Sequence, residues 1–118
     1  MFGMSAANCK DDGGRFEASD SACYYENAEG NTLDIEKHAA GPMTVSISVV
    51  YGPANMRDFH GAVVSRIGNT LKVVETDSDI TSKACKMIVK VIRHKVQVTP
   101  DYDKCDSNLG RIDGATKK

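Results

Sequence analysis

Three histidines, His38, His60 and His94, are the side chains whose ordinary pKa suits acid–base work near neutral pH. A hydrolase or transferase built on one of them needs a serine or cysteine to activate and a carboxylate to orient the ring. No such residue stands at the spacing of a known triad or zinc protease. His94 falls at a turn, His60 on the polar side of a strand and His38 at a strand end, so all three read as solvated surface residues. Asp77, Ser78 and Asp79, following Glu75, begin like a calcium loop, but the glycine and the closing glutamate of an EF-hand are missing. Asp11-Asp12-Gly13-Gly14 lacks the same elements, and no glycine-rich phosphate cradle joins a strand to a helix. A non-enzymatic protein with no catalytic residue, no cofactor and no metal is expected.

Cysteine chemistry is more informative. Cys9, Cys23, Cys85 and Cys105 are even in number and never spaced C-x-x-C, which disfavours a thioredoxin-like motif or a zinc knuckle. Two disulfides are favoured over four reduced thiols. Of the three possible connectivities, Cys9 with Cys23 and Cys85 with Cys105 is preferred, because each pair flanks a segment that can fold back on itself. Loops of that size contribute roughly 3 kcal/mol each by chain entropy. An oxidising compartment follows, periplasmic or extracellular. The opening Met1-Phe2-Gly3-Met4-Ser5-Ala6-Ala7 carries no basic and apolar secretion signal, so a periplasmic or secreted location implies that a leader has been removed.

Recognition residues come next, since loops on a rigid sheet carry binding disproportionately. Tyr51 with Gly52-Pro53-Ala54-Asn55-Met56-Arg57 makes one exposed loop, and Asp77 to Lys83 another. Tyr24 and Tyr25 point to opposite faces of a strand, leaving one of them for a partner. Tyr51, Asn55, Arg57, Asp77 and Asp79 are the expected partner contacts, with Tyr25 as a lesser one.

These residues need a scaffold, and period-two alternation supplies it. Met43, Val45, Ile47, Val49 and Tyr51 fall on one face while Thr44, Ser46 and Ser48 fall on the other. Cys85, Met87, Val89 and Val91 alternate with Lys86 and Lys90, while Ile88 and Ile92 make the second face partly apolar. The run resumes at Val96 and stops at Pro100, a hairpin closed near His94. Gly68-Asn69 turns the run from Phe59 into the one from Leu71, and Glu29-Gly30-Asn31 turns Ala22–Glu26 into a strand over Thr32–Lys37. Gly30-Asn31-Thr32-Leu33 recurs as Gly68-Asn69-Thr70-Leu71, so similar turns or an internal duplication punctuate the chain. The fold expected is all-β: one antiparallel meander of seven to eight short strands, a small barrel or sandwich stapled by two disulfides. It spans residues 1–118 as a single domain, with 1–21 and 106–118 as loosely ordered ends. A chain of 118 residues supports one ordinary core. Its longest apolar runs fall well short of the roughly 20 residues of a membrane helix. Fifteen basic against 16 acidic residues, without a block of like charge, give no footprint for nucleic acid.

The second half has a recognisable layout: Phe59-His60-Gly61, a Gly-Asn hairpin, Cys85 opening an alternating strand, a short hairpin, Cys105, and then Gly110-Arg111-Ile112-Asp113-Gly114. Over about residues 58–114 this resembles the β-domain of small periplasmic lysozyme-inhibitor-like proteins of Gram-negative bacteria. Inhibitors of that group carry an S-G-x-x-Y motif whose Ser and Tyr enter the lysozyme cleft. The nearest string here is Ser21-Ala22-Cys23-Tyr24-Tyr25, with Ala in place of Gly and early in the chain. The resemblance implies a periplasmic protein whose partner is a lysozyme or another peptidoglycan hydrolase, blocked by loops inserted into its cleft. Immunity against a secreted cell-wall-degrading effector needs the same compartment and scaffold. Two other arrangements fit the pattern: a barrel holding an apolar or carbohydrate ligand in its cup, and a homodimer paired through edge strands.

Overall fold

The computed structural model describes residues 22–38, 40–76, 84–92, 95–101 and 103–117. The chain runs as β1 (Ala22–Glu26), β2 (Thr32–Glu36), β3 (Thr44–Tyr51), β4 (Asn55–Ile67), β5 (Thr70–Glu75), β6 (Lys86–Ile92) and β7 (Lys95–Pro100). A 3-10 helix (Ser107–Ile112) and the two-residue β8 (Thr116–Lys117) follow. Each strand pairs antiparallel with the next, so the seven-stranded meander expected from the alternation is present. β8 bridges its two ends, pairing Thr116 with Glu26 of β1 and with Lys95 of β7, which curls the sheet into a small barrel. No helix among the described residues is long and apolar enough to cross a membrane.

Alternation decides which side chains go inside. Val45, Ile47 and Val49 of β3, Leu71 and Val73 of β5, and Met87, Val89 and Val91 of β6 are all buried. Tyr25, Leu33, Ile35 and Phe59 join them, and their bulk fills the centre of the barrel. Each such side chain stabilises the fold by about 1.5–3 kcal/mol relative to exposure. Gly61 sits among them on β4 because the space is taken: a Cβ there would meet Val73 Cγ1 at 2.7 Å and the Phe59 ring at 2.8 Å.

The two Gly-Asn turns perform the same task. Gly30 (φ 85°) and Gly68 (φ 61°) adopt the left-handed conformations that tight turns require. The asparagine after each then holds a neighbouring strand. Asn31, fully buried, accepts the Val50 N–H through Oδ1 at 2.7 Å, and Asn69 Nδ2 donates to the Val91 carbonyl at 2.6 Å. Leu33 and Leu71, two residues on, are the matching core residues.

Several expectations need correction. The described part of the end expected to be loose, residues 106–117, is built into the fold. Asp106 caps the 3-10 helix by accepting the Asn108 N–H, and the helix buries Leu109 and Ile112 against the barrel end. Its other attachments are Asn27 Nδ2 donating to the Arg111 carbonyl and Asp113 Oδ1 accepting the Val98 N–H. The loop expected over Gly52 to Arg57 is shorter, since the three-residue turn lets pairing restart at Asn55. Of the two expected disulfides, Cys85–Cys105 is present, with its Cα atoms 4.7 Å apart. Cys23 is buried on β1, while its expected partner Cys9 lies outside the described residues, as do the rest of 1–21, Asp77, Asp79 and the His94 turn.

Candidate functional site

The β3–β4 hairpin carries three of the expected contacts. Gly52 (φ 68°) opens its turn, in a place where a Cβ would also crowd the Asn55 amide at 3.2 Å. Strand pairing then sorts the tip into two faces. Tyr51, Asn55 and Arg57 share the parity of the core residues Val49 and Phe59, so they lie at the barrel end. Tyr51 is half-buried against the core, Asn55 is exposed, and Arg57 Nε stands 3.7 Å from Asp106 Oδ2 at the start of the 3-10 helix. An exposed pair of this kind is worth about 0–1 kcal/mol; its effect is to orient Arg57. On the opposite face Val50 and Met56 are directly paired across the strands and are 42% and 62% exposed. Sequence reasoning missed this pair as contacts. The signal was the break in alternation at Val49-Val50-Tyr51, which leaves one valine outside.

Tyr25 is not a contact residue. It is fully buried, sharing the inner face with Cys23 two residues earlier, and Tyr24 faces outward in its place. Tyr24 opens a row that crosses four strands through Asp34, Ser46 and His60. Beside it run Glu26, Thr32, Ser48 and Asp58 on one side, and Glu36 and Thr44 on the other. Ser46 Oγ and His60 Nδ1 are 3.2 Å apart, and His38 Nε2 lies 2.8 Å from Thr44 Oγ1. Burial, reinforced by the charge of Glu36, raises the pKa of Asp34 above its ordinary value. A nucleophile mechanism needs the histidine between the hydroxyl and the carboxylate. Here the serine stands between the carboxylate and the histidine, which is not the order of a triad. No group of three or more His, Cys, Asp or Glu side chains among the described residues can hold a metal ion.

The outer face of β4–β7 has different chemistry. A register shift between Val63 and Ser65 inserts Val64 as a bulge that projects outward, 63% exposed. Lys72 is paired with Ile88, and Val74 with Lys86, so two lysines and two apolar residues alternate as a checkerboard. With Val64, Thr99, Pro100 and Asp101 they line a surface groove of about 510 Å³. Of the apolar second face noted on β6 in the sequence, Ile88 lies in this groove and Ile92 does not line it.

Comparison with protein-family models, curated proteins and solved structures finds nothing that matches this chain.

Proposed function

We propose that this chain is a non-enzymatic binding protein of the periplasm or the extracellular space that inhibits a cell-wall hydrolase by lodging the β3–β4 hairpin in its active-site cleft. The observation that carries the reading is the hairpin tip, where the exposed Val50–Met56 pair stands back to back with Tyr51, Asn55 and Arg57. An apolar pair on a short, three-residue turn is a preformed plug, and preorganisation lowers the ordering cost of insertion. Side chains crowd the barrel interior, which favours recognition on the outside over a ligand held in the cup. The Cys85–Cys105 disulfide is compatible with an oxidising compartment. The reading adds a second staple, Cys9 with Cys23, which would tether the segment before β1, and it draws on the resemblance to periplasmic lysozyme inhibitors. The target is a lysozyme or a secreted peptidoglycan-degrading effector.

Turbidity assays on peptidoglycan test this directly, with the oxidised protein added to a panel of lysozymes and bacterial muramidases and amidases. Inhibition of at least one enzyme is expected, with Val50→Glu and Met56→Glu each weakening it at least about 10-fold, the loss of a central apolar contact. Absence of inhibition across the panel, or full inhibition by both variants, overturns the reading.

A further inference from the structure

Charge on the outside of this barrel is segregated in a way that the net charge of −1 conceals. The outer faces of β1–β4 present Glu26, Asp34, Glu36 and Asp58, whereas β5 and β6 present Lys72, Lys86 and Lys90. Neither Lys72 nor Lys86 is held in an ion pair among the described residues. Asp101, the one carboxylate among the described residues of the groove lining, is turned to its own loop, where its Oδ1 accepts the Asp103 N–H.

From this we infer that the β4–β7 groove is a second binding site, for an acidic peptide segment of a partner protein that carries an apolar side chain between carboxylates. The checkerboard sets that pattern. Lys72 and Lys86 occupy diagonal corners, so cationic groups stand on both sides of the apolar floor made by Val64, Val74 and Ile88. Alternate side chains of an extended chain share one face, so carboxylates at its first and fifth positions and an apolar side chain at its third all meet the groove, with the long lysine stems reaching out to the two carboxylates. A single-headed amphiphile matches the site less well. Its one carboxylate satisfies one lysine and leaves the other against the acyl chain, and an open wall such as Val64, 63% exposed, leaves much of that chain in water. The acidic outer faces of β1–β4 repel the same peptide, which confines it to the groove. This site is independent of the hairpin, from which it is separated along β4 by the distance from Met56 to Val64.

The test is an NMR titration of the full oxidised chain, labelled with ¹⁵N, using acetyl-Glu-Ser-Leu-Ser-Glu-amide as the probe, whose two carboxylates and leucine share one face when extended. Saturating amide shifts are expected at residues 72–74, 86–88, 99 and 101, with a dissociation constant of about 1 mM or tighter. Raising the salt from about 50 to 500 mM is expected to weaken binding several-fold, because screening shortens the reach of the lysines. The double substitution Lys72→Gln with Lys86→Gln changes exposed positions only and is expected to weaken binding at least about 5-fold with the rest of the spectrum unchanged. Ile88→Asn tests the apolar floor separately and is expected to weaken binding as well. The inference is overturned if the peptide leaves these amides unmoved or shifts a different face. It is overturned equally if acetyl-Lys-Ser-Leu-Ser-Lys-amide binds as well, or if sodium dodecanoate saturates the groove while the acidic peptide does not. Inhibition of a hydrolase through the hairpin is read in a separate assay, so either result stands without the other.

Discussion

Replacing Gly61 with alanine sets two effects of opposite sign against each other. Gly61 does not adopt a left-handed φ, so an alanine fits its backbone, and the stiffer unfolded chain would stabilise the protein by about 0.4–1 kcal/mol. Packing opposes this. The new Cβ would lie 2.7 Å from Val73 Cγ1 and 2.8 Å from Phe59 Cε1 and Cζ, whereas carbon atoms rest at about 3.5–4.0 Å. Val73 and Phe59 are each 1% exposed, enclosed by the other core side chains, so relief of the clash must move those neighbours as well. Overpacking of this kind costs about 1–3 kcal/mol, so a net loss of about 1–2 kcal/mol is expected. With an unfolding entropy of about 2.1 cal/mol/K per residue over 118 residues, Tm should fall by roughly 4–8 °C. Thermal and urea unfolding of the oxidised protein measure both quantities. Phe59→Leu removes two of the three close contacts, so in that background the alanine should cost about 1 kcal/mol less. A Gly61→Ala protein as stable as the parent, or an undiminished cost beside Leu at position 59, would refute the packing argument.

Other substitutions probe the turns, the outer face and the staple. Asn31→Ala removes a fully buried side chain and leaves the part-buried Val50 N–H without its acceptor, and should destabilise the fold by about 1–3 kcal/mol, measured by urea unfolding. Asp34 has its pKa raised by burial and by Glu36, so the folded state holds that proton more tightly than the unfolded state does. Stability from this group is present below the ordinary aspartate pKa of about 3.9 and is lost as pH rises through the raised value. Asp34→Asn should therefore be more stable than the parent at pH 7, with the difference closing near pH 3, in paired denaturation curves. Exchanging both Cys85 and Cys105 for alanine opens a loop of sequence separation 20 and should cost about 3 kcal/mol by the chain-entropy relation, again by urea unfolding.

The strands were legible because each lies half in and half out of the core. Val45, Ile47 and Val49 announce both their element and their inward face. The turns were legible through Gly30 and Gly68, whose positive φ few other residues tolerate. The 3-10 helix was not, because six residues with two buried side chains show no periodicity, and the Asp106 cap alone reads as an ordinary loop residue. The parity of Tyr24 and Tyr25 was recoverable from Cys23, which shares the inner face with Tyr25. The hairpin at Tyr51 to Arg57 was recognised as a candidate surface, but its exposed Val50–Met56 pair depends on cross-strand register. The groove depends on register still more. Nothing local relates Lys72 to Ile88 or Val74 to Lys86 before β5 and β6 are aligned across the connection between them.

The bridge made by β8 has a kinetic consequence. The sheet closes through pairs such as Tyr25 with Lys117, between residues near opposite ends of the described chain, while every other ladder joins consecutive strands. Contacts of such sequence separation form late, since loop closure must precede any gain from them. Folding therefore passes through an open sheet whose β1 and β7 edges expose unpaired backbone groups, the state in which two chains can add to one another. The Cys85–Cys105 bond shortens that interval: it holds the segment leading into the 3-10 helix beside β6, so only the stretch from 106 to 117 remains to find β1. Oxidation thus acts on the order of assembly as well as on the stability of the finished barrel.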